Sequence, residues 1–186
     1  MPAETRSRRS DALRNRDRLL AAAADLFAER GLEVPLDEIA RTAGVSIGTL
    51  YNHFPTRDDL YNAIIPARLA ALDQIVARAL EADDPWDGFV AYLEGVFGLQ
   101  AQDRSLNDAI ARRRPASDEI AEVCARNVDG VLELIARAKA SGDLREDFQP
   151  MDLAMLGAAI SQIIHESGDW RRFLDLHLTG LRRKRP

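Results

Sequence analysis

The chain has 186 residues, 46% of them hydrophobic, and a formal net charge of −5. That apolar share fits a helical domain of ordinary size with a small appendage, and it excludes an intrinsically disordered chain. The acidic balance excludes a protein that is basic all over, but charge here is local. Arg6, Arg8, Arg9, Arg14, Arg16 and Arg18 crowd one end, and Arg182, Arg183, Lys184 and Arg185 the other. Phosphate contacts are local as well, so an acidic chain can bind DNA through one basic face. No run of about eighteen apolar residues is present, so no membrane span is expected. The first ten residues have no apolar stretch and do not read as a secretory signal. The one cysteine, Cys124, excludes an intrachain disulfide framework and suits a reducing cytoplasm, the expected location. Ala, Leu, Arg, Asp and Glu dominate, and no β-branched run alternates with period two, so the expected fold is all-α.

Residues Met1–Ser10 are polar and arginine-rich without apolar periodicity. They read either as an arm reaching DNA phosphates or the minor groove, or as a solvated terminus. The first helix is predicted over about Asp11–Arg30. Leu19, Ala23 and Leu26 form one row, Leu20, Ala24 and Phe27 the next, and Gly31 ends it. Arg14 and Arg16 near its start are candidate phosphate contacts. Leu36, Ile39, Ala40 and Ala43 then fall at i, i+3, i+4 and i+7, the stripe of a short amphipathic helix. Gly44 is placed to end that helix in a left-handed conformation. Ser46 is a good N-cap, and Leu50 and Phe54 are spaced to pack a second short helix onto the first. Two short helices about a tight glycine turn make a helix-turn-helix. The second leaves Ile47, Gly48, Thr49, Tyr51, Asn52 and His53 off its packed side. That face is small, hydrogen-bonding and aromatic, unlike the Glu/Lys face of an idle surface helix.

Pro55 breaks this helix, and Thr56 with Asp59 forms a near capping box for a fourth, over about Arg57–Leu80. Pro66 lies inside it, so a kink or break near Ile65 is expected. A helix over about Trp86–Ala101 carries Trp86, Phe89, Leu93 and Val96 in register. Gly95 and Gly98 flank Phe97 there, which implies either close helix packing or room for a ligand. A short helix over Ser105–Arg113 and a longer one from Ser117 to about Ala140 follow. Pro150 opens a penultimate helix whose Leu153, Leu156, Gly157, Ile160 and Ile164 form a stripe, flanked by the small row Ala154, Ala158 and Ser161. The last helix follows Gly168 and Asp169, with Trp170, Phe173, Leu174, His177, Leu178 and Leu181 on one side.

From RLLAAAADLFAERG through LDEIARTAGVSIGTLYNHFPTRDDL, roughly Arg18–Leu60, the chain resembles the TetR family of bacterial transcriptional regulators. The resemblance implies an N-terminal three-helix DNA-binding domain over 1–56, with a flexible basic arm, and a helical effector-binding and dimerisation domain over 57–186. It places DNA contacts on Thr49, Tyr51, His53 and Arg57, the last standing where lysine is usual, with Thr42 and Ser46 as secondary candidates. Thr49 can bond phosphate or present its methyl to thymine, Gly48 lets the backbone approach, and Asn52 can pair with adenine. Ile47 stands where many members have a basic or polar residue. Pro35 departs from the Ser or Thr that usually caps the second helix. It suits the first helical position, and the lost cap weakens that end by about 1 kcal/mol.

The last two helices of such regulators form a four-helix bundle across a dimer axis. That assigns Leu153, Leu156, Gly157, Ile160, Ile164, Trp170, Phe173, Leu174, His177, Leu178 and Leu181 to a dimer interface. Trp86, Phe89, Tyr92, Phe97, Cys124, Asn127, Met155 and His165 are candidate effector-pocket residues, because they mix aromatic bulk with few polar groups. Each also reads as plain core or surface. Arg112–Arg114 would meet an anionic ligand or mark a solvated face. The partners implied are a double-stranded operator, a second copy of the chain and a small-molecule effector, with no cofactor, no metal and no membrane. The reading is a dimeric repressor released from a palindromic operator. Its alternative is a helical interaction protein that activates or lacks specific DNA binding. His53, His165 and His177 are dispersed, and no H-E-x-x-H, C-x-x-C, G-x-S-x-G or P-loop pattern occurs, so no enzyme is expected.

Overall fold

The computed structural model describes residues 3–107 and 118–183, with side chains over 10–68, 70–107 and 127–183. Its helices are α1 (Ala3–Arg30), α2 (Leu36–Thr42), α3 (Ile47–His53), α4 (Arg57–Leu80), α5 (Pro85–Gln102), α6 (Asp118–Ala140), α7 (Pro150–His165) and α8 (Trp170–Leu181). Residues 104–107 are also helical; the rest of the short helix expected over Ser105–Arg113, with Arg112–Arg114, lies outside the described residues. No strand occurs among the described residues beyond an isolated antiparallel bridge between Leu144 and Arg182. The fold is all-α. No helix among them is long and apolar enough to cross a membrane.

Two expectations change at the backbone level. The first helix begins at Ala3, not near Asp11, so residues 3–10 of the stretch read as an arm are wound into α1. No glycine or proline interrupts residues 3–30, and Ala, Arg, Glu and Leu are strong helix formers. α4 is unbroken through Pro66, which is exposed. The proline lacks the N–H that would bond the Asn62 carbonyl four residues back, and Asn62 too is exposed, so water can satisfy that acceptor.

The helices enclose two apolar cores. Leu19, Ala23 and Phe27 of α1, Ile39 and Ala40 of α2, Leu50 of α3, and Phe54 fill the first, together with Leu60, Tyr61 and Ile64 of α4. The first two turns of α4 therefore belong to the helix-turn-helix core, beyond the expected boundary at residue 56. Thr56 marks a helix start, which is not the edge of a core. The second core stacks Trp86, Phe89, Leu93 and Phe97 of α5 against Ile135 of α6, Phe148 of the connection after it, Leu156 and Ile160 of α7, and Trp170 and Leu174 of α8. A Cβ on Gly95 would lie 2.7 Å from Ile75 Cγ2, so this glycine lets α5 press onto α4. Gly98 has nothing within 4 Å of a Cβ and faces open space. Close helix packing thus holds at Gly95 and not at Gly98.

A buried polar seam joins the cores. Arg68 of α4 and Asp103, both 9% exposed, form an ion pair through Arg68 Nε and Asp103 Oδ2. Arg68 Nη2 also donates to the Ala24 carbonyl of α1 at 3.3 Å. Asp103 Oδ1 accepts from Ser105 Oγ at 2.6 Å and from the Leu106 amide at 3.1 Å. Removing one member of a buried pair strands its partner's charge, at a cost of about 3–5 kcal/mol. Asp103→Ala is accordingly expected to lower unfolding free energy by that amount in urea titrations. The double variant Arg68→Met, Asp103→Leu is expected to lose much less, since no buried charge is left unpaired.

Candidate nucleic-acid interface

The turn between α2 and α3 is fixed by its own backbone. Gly44 takes φ +65°, the Gly44 amide donates to the Arg41 carbonyl at 3.0 Å, and the Val45 amide to that of Ala40 at 3.0 Å. This is the paired closure of a Schellman motif, and Val45 packs into the first core beside it. Ser46 caps α3 by accepting from the Thr49 amide at 3.2 Å, and its Oγ lies 2.9 Å from Thr49 Oγ1. At the next helix the Asp59 amide donates to Thr56 Oγ1 at 3.1 Å and the Thr56 amide to Asp59 Oδ2 at 3.0 Å, completing the capping box. Pro35 departs from its expected place. It is the N-cap of α2, not the first helical residue, and supplies no side-chain cap, only its carbonyl to the Glu38 and Ile39 amides. Arg30 holds that end instead, through Glu38 at 2.6 Å.

Of α3 only Leu50 is buried. Ile47 is 40% and Tyr51 49% exposed, both large apolar side chains left in water. Thr42, Ser46, Gly48 and Asn52 are exposed beside them, and Thr49 and His53 are half-buried. A Cβ on Gly48 would meet nothing nearer than Ser46 Oγ at 3.9 Å, so the fold itself does not require a glycine there. Of the expected contact residues on α3, the structure leaves Ile47, Gly48, Tyr51 and Asn52 exposed, with Thr49 and His53 partly covered. Arg57 stands apart. Its Nη1 donates to the carbonyls of Leu32 at 2.6 Å and Val34 at 2.5 Å, which clamps α4 to the α1–α2 connection. The anchoring expected of it toward DNA is at this atom an anchoring of the protein to itself. Cations around the face come from elsewhere: Arg41 is exposed on the last turn of α2, and Arg18 reaches the Gly44 carbonyl at 3.5 Å. Arg16 lies with its guanidinium 5.4 Å from the Phe54 ring centroid. Arg41 was legible only as the neighbour of Thr42.

The expected pocket residues divide. Trp86 and Phe89 are buried in the second core, their rings 6.0 Å apart, with Phe148 edge-on to Phe89 at 5.8 Å. Asn127 donates to Asp73 of α4 at 2.9 Å, and His165 is exposed at the end of α7. Met155 is 65% exposed and lines a groove beside α8. The Cys124 side chain lies outside the described residues. Tyr92 and Phe97 do share a cavity, between α5 and α7, whose buried polar members Gln100 and Ser161 were missed. Their signal was a polar residue ending the row Tyr92, Val96, Gln100 at spacing four.

The expected dimer stripe also turns inward. Leu156, Ile160, Trp170 and Leu174 are buried within the chain, with Leu153, Gly157, Ile164, Phe173, Leu178 and Leu181 half-buried beside them. A stripe read from periodicity does not say which neighbour covers it, and here α5 does. The apolar residues left outside are Met151, Met155 and Leu176, with His177, whose ring stacks 4.1 Å from that of Phe173.

Comparison with known proteins follows the same division. A sequence model described as bacterial regulatory proteins, tetR family, matches residues 19–64, and one described as the SbtR-like transcriptional regulator C-terminal domain matches residues 84–183. The regulator TcmR of Streptomyces glaucescens is 27% identical over 184 residues, covering 90% of this chain and 78% of its own. The repressor BepR of Brucella suis is 26% identical over 179 residues, covering 86% and 85%. A TetR regulator from Mycobacterium vanbaalenii, solved by crystallography, is 33% identical with a TM-score of 0.54, covering 94% of this chain and 99% of its own. With the open α3 face, these matches define a helix-turn-helix transcriptional regulator with a helical C-terminal half. The chain belongs to the TetR family of bacterial DNA-binding regulators.

Burial raises the Tyr92 phenol to about 12 from its ordinary 10.0. The folded state therefore favours the neutral phenol. Its contribution to stability is whole below the unfolded value and is lost as pH rises through the folded one. Between those limits unfolding midpoints should fall, and Tyr92→Phe should flatten the fall; a profile matching the wild type would place the phenol in water.

Proposed function

We propose that the chain is a dimeric repressor that binds a palindromic operator and leaves it when a small-molecule effector is bound. The observation that supports it most is the α3 face. Six of seven residues of a rigidly capped helix are not buried, and they include Ile47 and Tyr51. Apolar and aromatic side chains held open beside hydroxyls and an amide fit the major groove, where methyl groups, base edges and phosphates alternate. The reading puts the protein in the cytoplasm with its operator, acting by binding alone.

Dimerisation rests on the outer faces of α7 and α8. Met151, Met155 and Leu176 are 67%, 65% and 56% exposed, and a groove of about 620 Å³ runs between Met155, Ala159 and His177. A two-fold partner that covers this face would set two α3 helices one DNA turn apart, about 34 Å. An effector then acts by binding better to a conformation with a different separation.

Fluorescence anisotropy on DNA from the chain's own upstream region, followed by random-site selection, tests operator binding. Specific binding is expected to fall steeply with salt. Tyr51→Ala is expected to weaken it about tenfold, within the usual cost of one good contact. Gly48→Ala should keep or raise thermal stability, since alanine favours helix by about 0.5–1 kcal/mol, and yet weaken operator binding. Random-site selection without enrichment would overturn the reading. For the dimer, Met155→Glu with Leu176→Glu should halve the mass seen by light scattering; a wild type that is already monomeric would rule out the two-fold arrangement.

A further inference from the structure

Between α5 and α7 lies a cavity of about 550 Å³, within the range of small-molecule sites. Tyr92, Val96 and Phe97 line it from α5, and Leu153 and Gly157 from α7. None of its ten lining residues is charged. Gln100 and Ser161, each 3% exposed, line it too, with Ser161 Oγ donating to Gln100 Oε1 at 2.8 Å. That leaves Gln100 Nε2 as a donor with no acceptor among the described residues, and the Tyr92 hydroxyl likewise has no partner among them.

Neither of these donors is sealed from water, so both are open to the cavity, and a ligand oxygen would take the place of water at them. A carboxylate or phosphate would find two donors here but no cation, and burying an unpaired charge is far more expensive than burying a neutral carbonyl. We propose that this cavity takes a neutral, largely apolar small molecule that presents a carbonyl-type oxygen to Gln100 Nε2, with the Tyr92 hydroxyl as a second contact. The proposal rests on the effector-released repressor reading and names the chemistry of its effector. The site also has a mechanical neighbour. Gln100 lies three residues before Asp103, whose carboxylate holds Arg68 and through it α1.

The test uses the full chain and Nile red, a neutral dye with a ring carbonyl, read by its emission. Competition follows with 2-decanone and with decanoate. Gly157→Leu is the blocking variant, because Gly157 lines the cavity and a Cβ there meets nothing within 4 Å. Wild type is expected to bind the dye with a blue shift, and Gly157→Leu at least tenfold more weakly, on the order of an occluded pocket. 2-Decanone should displace it at lower concentration than decanoate. Gln100→Leu and Tyr92→Phe should each raise the ketone's half-displacement by about three- to tenfold, the range of one neutral hydrogen bond. Tyr92→Phe removes only a hydroxyl and keeps the test open should Gln100→Leu unfold.

Dye that fails to bind wild type, or that binds Gly157→Leu equally, overturns the site. Decanoate displacing better than the ketone overturns the ligand class. Operator binding is followed on the same samples. If it persists in either case, the regulator reading stands without this ligand; if wild type binds no selected DNA, the failure is that of the regulator reading.

Discussion

The Arg68–Asp103 pair is the contact on which the arrangement of the two cores depends. Apolar packing explains why each core is compact, but it is non-directional and fixes neither core relative to the other. The buried pair is directional. Arg68 presents its guanidinium to a carboxylate on one side and to the Ala24 carbonyl on the other, so α1, α4 and the end of α5 meet at one side chain. Ser105 and the Leu106 amide satisfy the other carboxylate oxygen, and Tyr61 reaches the Ser105 carbonyl at 3.5 Å. Such a seam is stable only while its partners stay in place, because its charges have little water to fall back on.

The seam continues into the second core. Asn107 Nδ2 donates to the Ser161 carbonyl of α7 at 3.1 Å, while its buried Oδ1 has no partner among the described residues. The cavity wall and the first core are thus linked through polar contacts.

What was legible in the sequence was local. Gly44, Ser46, and Thr56 with Asp59 act on neighbours within four residues, and each does in space what its spacing implied. The amphipathic rows of α1, α5 and α7 were legible for the same reason. What escaped were contacts whose partners lie far along the chain. Arg57 holds Leu32 and Val34 over more than twenty residues, Arg68 meets Asp103 over 35, and Ser161 meets Gln100 over 61. Periodicity shows that a face is apolar, but not whether α5 or another copy covers it, which is why the α7 stripe turned inward. Arginine compounds the difficulty, since one guanidinium serves phosphates and backbone carbonyls equally well.

Helix α3 is anchored by one buried residue, Leu50, with a cap at Ser46 that engages Thr49 and a turn about Gly44, none of which engages Ile47, Gly48, Tyr51 or Asn52. Positions 47, 48, 51 and 52 take almost no part in what holds the domain together. Selection can therefore exchange them one at a time without carrying each variant across a valley of instability. A lineage built on this scaffold can drift from one operator to another while its fold, its seam and its C-terminal half stay as they are.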